Sequence, residues 1–190
     1  LAIEDDNEYI WNNKAIAMLN SGNVEQALKA SDSALKANPD SAVVLYWRGF
    51  ILEILSQFDQ ALEVYDKLLK IDDTNPEVWN ARGNLLTDMD RAEEALESCD
   101  KALELCLDDS ELDATAQNRK GNALMELLRF EEAIECYDKA ISLEPHNTSF
   151  LLNKGVVLME LGNFAEAENI FTKVLAIDPS NDDARVLKME

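Results

Sequence analysis

The sequence predicts an all-α chain built as a tandem array of antiparallel helix pairs. Three observations predict it. A helix–turn–helix punctuation returns about every 34 residues along the 190-residue chain. Gly or Ala recurs at two fixed places in each step, where one helix must present almost no side chain for another to cross closely. Proline recurs after the second helix, which it cannot extend. The clearest copy is Leu151 to Pro179, with Gly155 and Leu158 on its first helix and a break at Gly162-Asn163. Ala167 and Phe171 then lie on the second helix, and Pro179 closes the unit.

Leu1-Ala2-Ile3 matches Leu175-Ala176-Ile177 in phase, and Glu4 to Asn7 matches the acidic loop that follows. The chain is therefore expected to open on the last turn of an earlier helix. With no initiating Met, it reads as a segment of a longer protein. The first unit covers about 8–41, with helices near 8–20 and 24–37 around Ser21-Gly22-Asn23. Ala15 and Ala27 are its small residues, and Pro39 follows it. The second covers about 42–75, with helices near 42–55 and 58–71, small Gly49 and Ala61, and aromatic Tyr65. The third, about 76–109, opens on Pro76, tolerated at a first helical position, and continues through Trp79, Gly83, Leu86, Ala95 and Ala102.

Around Asp108 to Asp113 the period lengthens by four residues, close to one helical turn. Good N-caps followed by first-turn acids predict that the next helix begins early, near Ser110. The fourth unit is about 114–147, with Gly121, Leu124, Ala133, Tyr137, Ala140 and Pro145, and the fifth is about 148–181. Residues 182–190 look like the start of one more helix, a cap or a truncated unit.

The pattern W-x2-L-G-x2-Y … A-x3-F … A … P resembles that of the tetratricopeptide repeat (TPR) family across essentially the whole chain. Departures are modest. Ala15 stands for Gly, Ser31 and Cys99 stand for the aromatic, and Asp73 and Leu107 stand where proline is usual. Trp11 and Trp79 occupy the fourth position, where Gln117 is a polar exception. The resemblance implies a right-handed superhelical α-solenoid of five repeats plus partial terminal helices. It also implies a concave groove lined by the first helix of each pair.

The formal net charge is −21. Phosphate binding needs clustered Lys and Arg, so nucleic acid is excluded as a partner. An acidic field instead attracts basic segments, unless the acids only solvate outer faces or reflect a salt-rich cytoplasm. No stretch of about 18 apolar residues and no signal-like start is present, so no membrane segment is predicted. Cys99, Cys106 and Cys136 form no C-x-x-C pair, which predicts reduced thiols in a cytoplasmic setting, with Cys99 and Cys136 as packing residues. The one histidine, His146, lies in a loop, so neither a metal site, a cofactor site nor a catalytic set is expected. Glu131-Glu132 and Asp108-Asp109 read as solvated charge runs on turns.

In this register the second, fifth, ninth and twelfth residues of each first helix share one face. Asn80, Asn84, Asn118 and Asn122 form a two-by-two amide set there, with Asn12 at the fifth position of the first unit. Asn both donates and accepts, so such a set suits the peptide groups of an extended ligand. Alternatively, the amides bond between neighbouring helices or are tolerated surface residues. The same face carries Tyr9, Ile16, Tyr46 and Phe50, an anchor for apolar side chains unless neighbouring units bury them. Trp47 is expected to pack between helices.

Some family members clamp an acidic peptide tail with Lys, Arg and Asn on this wall. Here the fifth positions are Asn12, Tyr46, Asn80, Asn118 and Leu152, and Arg119 is the one cation at the clamp-like sixth position. An acidic tail is therefore a poor ligand. Arg48, Arg82, Lys120 and Lys154 share the seventh position, where stems pack at a seam and heads pair with acids. The expected function is a non-enzymatic scaffold binding a partner segment, extended or helical, of basic and apolar character, at Tyr9, Asn12, Tyr46, Phe50, Asn80, Asn84, Asn118 and Asn122. The rival is an architectural segment that spaces or homo-oligomerises the domains of a longer chain.

Overall fold

The computed structural model describes residues 8–106 and 110–188. The expected helical remnant at Leu1-Ala2-Ile3, the acidic stretch after it, Leu107 and Asp108-Asp109 lie outside the described residues. Among those described are eleven α-helices: α1 (Glu8–Asn20), α2 (Val24–Ala37), α3 (Ala42–Ile54), α4 (Phe58–Ile71), α5 (Pro76–Asp88), α6 (Ala92–Leu105), α7 (Ser110–Glu126), α8 (Phe130–Leu143), α9 (Thr148–Glu160), α10 (Phe164–Ile177) and α11 (Asp182–Leu187). The helices pair antiparallel as the sequence predicts. They form two compact units, divided within α5 after Leu85.

In unit 1, α1 packs on α2, α2 on α3, α3 on α4, and the two first helices α1 and α3 also touch. Gly49 shows why its position must be bare. A β-carbon there would stand 2.5 Å from Cε1 of Tyr65, whose ring is buried across it. The aromatic of α4, not the facing alanine, is thus what the glycine accommodates. In the first pair the same spacing holds Ala15 and Ser31, both fully buried. Both are departures from the repeat pattern, with alanine in place of the glycine and a hydroxymethyl in place of the ring. Ala15, Ala27, Ala30 and Ile51 form the buried cluster around that crossing.

Unit 2 repeats the device. A β-carbon on Gly121 would stand 2.5 Å from Cε1 of Tyr137, and Gly155 is covered in the same way by Phe171. Leu124, Ala133, Cys136, Tyr137 and Val157 form one core cluster. Leu151, Leu158, Ala167, Ile170, Phe171, Val174 and Ala184 form the next. Helix α11 is short but docked: Ala184 is fully buried, and the Asn181 side chain accepts from its N–H at 2.9 Å.

The four-residue lengthening is absorbed as helix. Helix α7 starts at Ser110 and runs 17 residues, against 13 for α1, α3, α5 and α9. Ion pairs show that the register downstream is kept. Arg48 pairs with Asp32, Arg82 with Asp66 and Lys154 with Asp138, each across 16 residues of sequence, and Lys120 pairs with Asp100 across 20. Each pair ties the second helix of one pair to the first helix of the next. These are the seventh-position cations, and their partly exposed bonds contribute about 0.2–1 kcal/mol each. They align helices more than they hold them together.

Every turn inside a pair uses one residue in the left-handed region: Gly22, Ser56, Asp90, Leu128 and Gly162, with φ of 78°, 56°, 57°, 58° and 74°. The following N–H reaches back to the helix, as Asn163 does to the Leu158 carbonyl at 2.8 Å and Arg129 to Leu124 at 2.9 Å. That satisfies carbonyls the helix end would otherwise leave open. Side-chain caps start α5 and α9: Asn75 accepts from Glu77 N–H at 2.9 Å, and Asn147 from Ser149 N–H at 3.1 Å.

Candidate functional site

The first-helix face of unit 1 is aromatic. Trp47 stands edge-on between Tyr46 and Phe50, with centroids 6.1 and 6.0 Å away and planes near perpendicular. Tyr46 also approaches Tyr65 at 6.4 Å, and the Tyr65 hydroxyl donates to the Glu53 carboxylate. Trp47 is half-buried, and the rings it meets belong to its own helix α3 rather than to a neighbouring one, while Phe50 is 41% exposed, Val43 56% and Tyr9 69%. Aromatic pairs of this geometry add about 0.5–1.5 kcal/mol each beyond burial, so the rings form a pre-set surface.

Two expected contact residues of unit 1 are not on that surface. Asn12 and Asn80 are 7% and 1% exposed, so their side chains lie inside the packing rather than on a ligand-facing wall. The fifth position is not covered throughout, since Tyr46, Asn118 and Leu152 there are half-buried. Asn84 is half-buried.

Unit 2 holds the polar part. Asn118 and Asn122 sit one turn apart on α7, and Asn153 faces them from α9. The Asn153 Nδ2 donates to Oδ1 of Asn118 at 3.0 Å and of Asn122 at 3.1 Å. Asn122 Oδ1 also accepts from the Tyr137 hydroxyl at 2.9 Å. The amides therefore do bond between helices, but through their carbonyls. Left without a bond to any described residue are Nδ2 of Asn118, Nδ2 of Asn122 and Oδ1 of Asn153. Two donors and one acceptor, fixed on a half-buried polar patch, match the hydrogen-bonding groups of a peptide main chain.

Cys99, Cys136 and Tyr137 of unit 2 are buried. Burial pushes the Cys99 thiol up to about 12 and raises Cys136 and Tyr137 above their ordinary values. These thiols are poor nucleophiles because little thiolate forms. Among the described residues, no three His, Cys, Asp or Glu side chains are placed to hold a metal ion, and no helix is long and apolar enough to cross a membrane.

One model of the tetratricopeptide repeat matches residues 12–76 and 118–182, and a second matches 74–143. The chain belongs to the tetratricopeptide repeat family. No curated protein matches it in sequence. Among solved structures, the TPR protein is similar to MamA residues 41 to the end from Desulfovibrio magneticus RS-1, at 24% identity and TM-score 0.79, covering 95% of this chain and 99% of that one. It is similar to PilW, titled a widely conserved type IV pilus biogenesis factor, at 21% identity and TM-score 0.88, covering 95% and 82%. It also matches YrrB, titled a TPR protein with an unusual peptide-binding site, at 21% identity and TM-score 0.71, covering 98% and 94%. At these identities the likeness is one of fold. TPR proteins are protein-interaction scaffolds.

Asn153, which bonds to both candidate amides of α7, was not among the candidate residues read from the sequence. It lies at the sixth position of its unit, outside the four positions taken to face a ligand. The available signal was a third amide one residue off the expected stripe, opposite the fifth-position Asn118.

Proposed function

We propose that this TPR protein binds a partner polypeptide on the face formed by the first helices of its pairs. Unit 2 takes an extended main chain on Asn118, Asn122 and Asn153, and unit 1 takes apolar side chains on Tyr9, Tyr46 and Phe50. The observation that carries the reading is the Asn153 bridge. By occupying both carbonyls of α7 it pre-orders two outward N–H donors and one acceptor, so little side-chain entropy is lost on binding. The excess of acid over base makes a basic, apolar segment the best-matched partner and raises its association rate. The reading includes no catalysis, no nucleic acid, and a reducing compartment, the cytoplasm.

The test uses Asn118→Ala, which removes one donor and one arm of the Asn153 bridge without touching the Tyr137 hydroxyl. Proteins captured by the wild type are identified, and the binding segment of one is made as a peptide. Weaker binding to an Asn118→Ala protein that stays folded, losing no more than about 0.5–1.5 kcal/mol for its bond to Asn153, supports the reading. A peptide that binds both proteins equally contradicts it. A concentration-independent dimer in light scattering, with these amides protected, favours the architectural role.

A further inference from the structure

Unit 1 contains a cavity of about 280 Å³ where the start of α3, the end of α4 and the start of α5 meet. Its walls include Val43, Tyr46 and Trp47, and its rim carries Asp72 and Glu77. We infer that this cavity receives one lysine or arginine side chain of the bound partner. The inference rests on the partner-binding reading and adds the chemistry of a specificity pocket to it.

The volume is small for a drug-sized ligand, and it suits a single long side chain. Tyr46 and Trp47 stand at 82° to each other, so the two aromatic walls meet nearly at right angles. An alkyl stem packs on such walls, and a cation at its end is attracted by their π faces. Asp72 and Glu77 line the same cavity and supply the negative charge for that end. Thr74 donates to Asp72 Oδ1 from its hydroxyl at 2.6 Å and its backbone N–H at 2.9 Å. These bonds hold the Asp72 carboxyl below the ordinary range, so it stays charged.

An anion is the competing occupant, because α3 and α5 point N-termini toward this end. Each terminus carries only about half a positive charge. The first N–H groups of α5 are already taken by Asn75 Oδ1, at 2.9 Å from Glu77 N and 3.4 Å from Val78 N. Two full carboxylates and the C-terminal end of α4 outweigh that field, and among the described residues no Lys or Arg lines the cavity. The site favours a cation.

The test needs no natural partner. Nα-acetyl-lysine methylamide is titrated into the intact protein while amide and indole shifts are followed by NMR. The arginine, norleucine and glutamate counterparts are titrated in parallel. The lysine and arginine probes are expected to give saturable shifts at Val43, Trp47 and Glu77 that weaken with salt. Glu77→Gln, an exposed change that spares the core, should weaken them about fivefold. Equal binding of the norleucine probe, preference for the glutamate probe, or unchanged lysine affinity in Glu77→Gln overturns the inference. Any of these leaves the amide patch of unit 2 untouched, since its own test is Asn118→Ala.

Discussion

Gly121 and Tyr137 act as one packing element: the ring edge of Tyr137 occupies the space a β-carbon on Gly121 would need, 2.5 Å from Cε1. Both residues are buried, and the ring is pinned by its hydroxyl bond to Asn122. Gly121→Ala gains up to about 1 kcal/mol of helix propensity. It must also displace a fully buried ring, which costs about 1–3 kcal/mol. A net loss of about 1–2 kcal/mol in urea unfolding is expected, and the same for Gly49→Ala against Tyr65. A stabilised Gly121→Ala would show that the ring moves freely.

Ala167 and Glu166 are neighbours with opposite environments. Ala167 is 1% exposed in the α9–α10 core, and Glu166 points outward, 3.7 Å from Lys154. Ala167→Leu should lower stability by about 1–3 kcal/mol, whereas Glu166→Leu stays within about 0.5 kcal/mol. Calorimetric melting of both variants decides it, and equal shifts count against the register.

Leu128 holds a left-handed backbone with a 72% exposed side chain. A non-glycine residue there costs about 1–2 kcal/mol, partly offset by the extra freedom glycine has when unfolded. Leu128→Gly should therefore raise stability by about 0.5–1 kcal/mol. Gly162→Leu, at the matching turn, should lower it. The pair of thermal midpoints checks both signs.

How much of this was legible in the sequence depends on how local the cause is. Pro76, the Gly22 and Gly162 turns and the bare glycines mark constraints that one residue type resolves, so helices and register could be read directly. The extra turn at Ser110 was legible because four residues restore helical phase. Burial of Asn12 and Asn80 was not, since it depends on how neighbouring helices close over the fifth position. Which side chain fills the space beside each glycine was not legible, because spacing alone does not say that Tyr65, Tyr137 or Phe171 reaches across. The Asn153 bridge needed a contact between residues 35 and 31 apart in sequence.

The thiols offer a pH test. Cys99 is held protonated up to about 12 by burial, so the unfolded chain loses that proton first as pH rises. The contribution is fully present below the ordinary thiol range and is lost as pH climbs from there toward about 12. Stability should fall across that window and the fall should shrink in Cys99→Ala. At neutral pH, brief alkylation followed by mass spectrometry should label half-buried Cys106 and spare Cys99 and Cys136 until the chain is unfolded.

The most direct measurement is calorimetric titration of a captured partner segment into the wild type, Asn118→Ala and the outer-face variant Lys139→Ala. If the amide patch holds the partner main chain, Asn118→Ala weakens binding by about 0.5–1.5 kcal/mol, the worth of one hydrogen bond, and Lys139→Ala leaves it unchanged. Unchanged affinity in Asn118→Ala, with loss on altering Lys139, would place the partner on the second helices and contradict the reading.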